Sequence, residues 1–194
     1  GNAFGVALKA NGTVWTWGQN TYGQLGNGVS NGTVVYPEKI DSLSDIIKIA
    51  AAGQTAVALK TDGTVWTWGN TYDGSTSSTV SRTSPVQVVK TVNKDTKTYL
   101  ENIKHIAAGP THMLAVDTDG HVWALGNNAN GKLGIGGTST AYTPTLVKTS
   151  STEILSGVER VAAGARNSAA LAQDGVVYVW GDNTYGQRGI EAKN

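Results

Sequence analysis

Residues 11–18, NGTVWTWG, return as DGTVWTWG at 62–69, as DGHVWALG at 119–126 and as DGVVYVWG at 174–181. One octet written four times is either a repeated site or a repeated structural unit. The glycine of its turn stands at 12, 63, 120 and 175, giving spacings of 51, 57 and 55 residues. Two further markers keep the same order. The tripeptide AAG ends at Gly53, Gly109 and Gly164, with Gly1 in the place of a fourth. After each tryptophan segment comes a polar loop: NTYGQLG at 20–26, NTYDGST at 70–76, NANGKLG at 128–134 and NTYGQRG at 183–189. Periods of this length mark repeat architectures.

Each unit reads as strands. VALK leads through Ala-Asn-Gly into TVWTW, and Asn-Gly or Asp-Gly favours positive φ at both central turn positions, so each such segment predicts a tight β-hairpin. IIKIAA, NIKHIAA and GVERVAA supply a third strand. YPEKI, SPVQVV and TPTLV supply a fourth, each with a proline near its start, where a missing donor does least harm. In VWTW, Trp15 and Trp17 take one face while Val14 and Thr16 take the other. Bulky or β-branched residues on both faces suit a sheet held between two neighbours. The small residues of AAG suit close approach near a crowded axis. The expectation is an all-β β-propeller of four repeat units of about four antiparallel strands each, at approximately 1–50, 51–106, 107–161 and a truncated 162–194.

On IAAG, HMLAVDTDGHVWALGNNANGKLG and their three sisters the chain resembles the RCC1 repeat family, named for the regulator of chromosome condensation. The resemblance covers essentially the whole chain and implies propellers typically of seven blades. The family's frequent histidine after AAG appears once, as His112; Phe4, Thr55 and Asn167 stand at its counterparts, which speaks against a catalytic role there. Four units, frayed at both ends, are expected to be part of a larger ring or of one completed by a second copy. The chain starts with Gly rather than Met, so a processed or cut piece without its targeting segment is expected.

Chemistry is sparse. His105, His112 and His121 fall in one unit, with Asp117 and Asp119 the only nearby carboxylates, and surface or hydrogen-bonded histidines are expected rather than a metal site. Asp62, Asp119 and Asp174 recur as turn residues, and Asn11 replaces them in the first unit, so they serve backbone shape rather than proton transfer. No nucleophile elbow, phosphate loop or zinc-protease helix is present. The six tryptophans lie in the repeated strand and read as core. Tyr22, Tyr72 and Tyr185 sit instead in the polar loops, with Arg188 in the last of them, and these four are the candidate binding residues. The connection 75–100 is the longest and reads as a solvated insertion, with the alternative of a binding loop.

With 15% charged residues and a formal net charge of +1, no basic run reads as a nucleic-acid arm. Absence of cysteine excludes disulfides, zinc thiolates and a thiol nucleophile. No apolar run approaches the roughly 20 residues of a membrane helix. The sum is a non-enzymatic binding or scaffold module without a cofactor, extracellular or at a bacterial surface, whose partner is a protein or a second copy. A nucleotide-exchange factor for a small GTPase and a β-lactamase inhibitor are the alternatives the resemblance implies. A glycan-binding lectin is a third, resting on the loop tyrosines.

Overall fold

The computed structural model describes residues 1–93 and 96–189. Its strands run in sequential antiparallel meanders. The first sheet is β1 (Phe4–Leu8), β2 (Val14–Gln19) and β3 (Thr33–Lys39). The second is β4 (Ile46–Ala52), β5 (Thr55–Lys60), β6 (Val65–Thr71) and β7 (Val80–Gln87). A side hairpin follows, β8 (Val89–Val92) with β9 (Lys97–Tyr99). The third sheet is β10 (Ile103–Gly109), β11 (His112–Asp117), β12 (Val122–Gly126) and β13 (Ala141–Leu146). The fourth is β14 (Val158–Ala163), β15 (Asn167–Ala172) and β16 (Val177–Gly181). These are propeller blades. The middle two have the expected four strands; the outer two have three among the described residues. The connection 75–100 is thus largely β7 and the side hairpin; residues 94–95 lie outside the described residues.

The hairpin turns differ from expectation. Only the glycine has positive φ: 78° at Gly12, 80° at Gly63, 86° at Gly120 and 87° at Gly175. The Gly12 N–H donates to Lys9 O, and the Lys9 N–H donates to Thr13 O. The loop is therefore three residues, a turn closed by a left-handed glycine, rather than a two-residue turn with both positions left-handed. In blades one, two and four the Asn or Asp before that glycine accepts with its side chain: Asn11 Oδ1 takes the Thr13 N–H at 3.3 Å, Asp62 Oδ1 the Thr64 N–H at 3.0 Å and Asp174 Oδ1 the Val176 N–H at 3.1 Å, while in blade three Asp117 Oδ1 takes the His121 N–H at 2.8 Å. Either residue offers that oxygen, so the two interchange.

The prolines also lie elsewhere than expected. Pro37, Pro85 and Pro144 fall inside β3, β7 and β13 rather than at their starts. Each sits where the pairing with the preceding strand slips, between Thr16↔Glu38 and Gly18↔Val34 in the first blade. The ladder is already broken there, so the missing N–H removes no bond.

The core lies in the seams between blades, three of them among the described residues. Val14, Leu25 and Ile40 of the first blade pack on Ile46, Ala56 and Trp68 of the second. Val57, Leu59 and Val65 of the second pack on Ile106, Met113 and Leu125 of the third. Leu114, Val122 and Leu133 of the third pack on Val158, Val161 and Ala170 of the fourth, with Trp180 at the edge. The valine face of each blade thus meets the tryptophan face of the next. Each hairpin turn also bonds onward: Ile46 N–H to Gly12 O, Ile103 N–H to Gly63 O and Val158 N–H to Gly120 O, at 3.0–3.2 Å.

The rule predicts its own exception. Val14, Val65 and Val122 are 0% exposed, whereas Val177, at the same position in the fourth blade, is 61% exposed. Among the described residues no blade lies against the valine face of blade four or the tryptophan face of blade one. Burial then decides the cost of truncation. Trp68→Ala removes a fully buried indole and should cost about 3–5 kcal/mol. Val177→Ala should change stability by less than about 0.5 kcal/mol. Urea-unfolding midpoints of the two variants check both.

Candidate functional site

In three blades the loop after the tryptophan strand has one architecture. The Asn20 side chain accepts the Leu25 N–H at 3.0 Å, Asn128 that of Leu133 at 2.8 Å and Asn183 that of Arg188 at 2.9 Å. A glycine N–H closes on each Asn carbonyl, as Gly23 does on Asn20. Folded this way, the loop of blade one caps its seam: Gln24 is fully buried, and its carbonyl accepts the indole N–H of Trp68 from the next blade at 2.9 Å. Blade three does the same, with the Lys132 carbonyl accepting Trp180 Nε1 at 2.9 Å and Ser168 Oγ at 2.7 Å.

Blade two breaks the pattern. NTYDGST places Asp73 and Gly74 where a glycine and a Gln or Lys stand elsewhere. Asp73, 2% exposed, bonds Arg82 Nε at 2.7 Å and Ser75 Oγ at 2.7 Å, and an added Cβ at Gly74 would strike Val89 O. Burial alone would raise the Asp73 carboxyl, but the Ser75 and Arg82 bonds outweigh it and hold the group below its usual range. The loop is drawn toward β7 and β8, and Asn70 turns its amide to Gln54 Oε1 at 3.1 Å. The receiving blade differs too. Trp17, Trp68 and Trp180 pair across their hairpins with Gly5, Ala56 and Ser168; in blade three the pair is Leu125 with Met113. Where capping loop and indole are both missing, a solvent-accessible cavity of about 270 Å³ opens. Leu125, Met113 and Tyr72 line it together with Thr55, Asn70 and Thr111.

The repeat model described as "Regulator of chromosome condensation (RCC1) repeat" matches residues 11–59 and 119–171, and a second model of that description matches 46–75, 103–132 and 158–187. The chain belongs to the RCC1 repeat family. It is 34% identical over 195 residues to the human E3 ubiquitin-protein ligase HERC2, covering 94% of this chain and 4% of that protein. The crystal structure of human WBSCR16 superposes with a TM-score of 0.76 at 25% identity, over 97% of this chain and 48% of that one. Yeast RCC1 (Prp20), solved with Kap60 bound to it, gives 0.70 at 24%, over 93% and 42%. The chain therefore spans less than half the length of each.

Within the RCC1 repeat the loop tyrosines occupy one repeat position but three environments. All lie at the end of the blades where the AAG turns lie. Tyr22 is 36% exposed and Tyr185 86%, and each donates its backbone N–H to the glutamine two residues on. Tyr72 is half-buried in the cavity wall, its ring 6.1 Å from that of Tyr142, and burial raises its phenol. Arg188 stands where Leu25 and Leu133 fill a seam, beside the uncovered face of blade four. Tyr72 joins the cavity; Tyr22, Tyr185 and Arg188 do not. The cavity itself escaped the sequence reading, although its signal was present: one loop and one tryptophan, in facing units, depart from the repeat together.

The six tryptophans, read from sequence as core, divide between core and rim. Trp68 is fully buried and the others half-buried; Lys9, Lys60 and Lys90 lie over Trp15, Trp66 and Trp123 at 4.0, 5.9 and 4.2 Å. The histidines do not converge. His105 meets Lys48 Nζ, and His112 Nε2 meets Ser168 Oγ at 2.9 Å in the next seam. His121 lies 3.3 Å from Asp117, whose carboxylate also accepts the His121 N–H and Trp123 Nε1. Asp117, Asp119 and His121 are close enough to hold a metal ion, but Asp117 is already engaged within the repeat.

Burial pushes His112 down to about 4, helped by Lys132, and burial with Lys48 and Arg160 does the same to His105. Both are neutral in the fold, whereas an unfolded histidine takes up a proton near pH 6.5. The unfolded state then binds more protons between about pH 6.5 and 4, so stability should fall as pH falls through that window. His112→Asn, the residue blade four carries at 167, should flatten the decline. Denaturant midpoints at several pH values measure it.

Proposed function

We propose that this chain is a non-enzymatic protein-interaction module that works by seating another RCC1 unit on its end faces, foremost that of a second copy. One observation carries the reading. Val177 occupies the repeat position of Val14, Val65 and Val122, each fully buried against the next blade, yet it is 61% exposed. Val179, two residues on and on the same side of β16, is half-buried, and Tyr185 with Arg188 supplies a polar rim. Apolar centre and Tyr/Arg edge are what protein interfaces favour. The opposite end of the arc offers the matching tryptophan face of blade one, so one copy can continue another strand for strand.

A non-catalytic role is supported by the histidines, each held by a structural neighbour in its own blade or an adjoining one. A protein partner is supported in kind by yeast Prp20, whose structure was solved in complex with Kap60. An extracellular or cell-surface setting is part of the proposal through composition, a cysteine-free chain rich in Thr, Ser, Asn and Gly. The same composition supports a bacterial source, to which the human and yeast relatives lend nothing.

Light scattering across a concentration series tests the association. The wild-type chain should show a mass above that of one copy, and Val177→Asp should return it to one copy. A wild-type chain of single-copy mass at high concentration would remove self-association.

A further inference from the structure

We propose that the cavity between blades two and three is a binding site for a small planar aromatic molecule of indole size. The argument starts from the seams on either side of it. There, an indole ring and a capping loop share the space at the loop end of the seam, and the ring's N–H ends on the loop's carbonyl. Between blades two and three the chain supplies neither. Leu125 is too short to reach where the indole reaches, and the Asp73–Arg82 contact, 2.5 Å at its closest, holds the loop away. What is left is a volume that its sisters show to suit an indole ring.

The size fits. An apolar cavity of about 150 Å³ is enough to take up benzene, and this one is about 270 Å³. The chemistry fits as well. Leu125 and Met113 offer an apolar floor. Met113 adds a flexible thioether, which adapts to irregular ligands and favours contact with aromatic rings. Tyr72 offers a ring edge or face. Around the opening, Thr55, Asn70 and Thr111 provide hydroxyl and amide groups to meet a ring N–H or O–H. This division into an apolar body and a few polar groups is that of small-molecule sites in general. The proposal is independent of the end faces and of what they bind.

Met113 is the one methionine of the chain, so methyl-labelled methionine reports on the cavity floor with a single signal. Titrated with indole, that signal should move saturably, with a Kd of about 0.1–1 mM for a ring of this size. Leu125→Trp, which restores the repeat's own indole, should weaken indole binding at least tenfold. Leu125→Trp with Met113→Ala rebuilds the pair seen at Trp68 and Ala56; it guards against overpacking and is read by saturation transfer to the indole protons. A Gly-Trp-Gly peptide separates the sources: a matching shift identifies a ring carried on a chain, and a shift with indole alone identifies a free small molecule. A Met113 signal unmoved by indole at several millimolar, or indole binding undiminished in a folded Leu125→Trp variant, would overturn the proposal.

Discussion

Everything in this structure hangs on how one sheet lies against the next. A blade of three or four short strands cannot bury both of its faces alone. It becomes stable when the valine side of one sheet receives the aromatic side of its successor. The indole of Trp68 shows the contact in full. Its ring fills the seam, and its N–H, which would be costly to bury unpaired, finds the Gln24 carbonyl of the previous blade. That carbonyl is available only because Asn20 folds its loop over the seam. Tryptophan, loop asparagine and small partner residue therefore form one structural unit, spread over two blades.

Most of this was legible in the chain itself. The fixed order of AAG, the hairpin octet and the Asn-led loop gave the repeat, and period-two patterning on both sides of VWTW gave a sheet buried on two faces. Finer backbone detail was not. A two-residue turn and a three-residue turn closed by glycine share the Asn-Gly spelling, and only the hydrogen bonds of Lys9 distinguish them. A proline within a strand reads as a strand start, because sequence does not show that pairing has already slipped there. The loop tyrosines look equivalent in sequence; burial separates them, since it depends on which blade stands opposite.

The seam between blades two and three shows how a repeat acquires a place of its own. Asp73 replaces a glycine, Leu125 replaces a tryptophan, and Met113 replaces a small residue, in units adjacent in space but some 40–50 positions apart in sequence. Each change is mild alone. Together they exchange a plugged seam for an open one without disturbing the ladders on either side.

Among the described residues the valine face of blade four and the tryptophan face of blade one are unlike one another, and the proposed association would therefore have a polarity. Joining unlike ends uses up one of each and exposes the same pair again, so such contacts are heterologous and do not stop at two copies by themselves. They end only when the accumulated rotation brings the last end round to the first; otherwise they extend as a fibre. Were copies to join in the proposed way, the turn made at each seam would also choose between a ring and a filament.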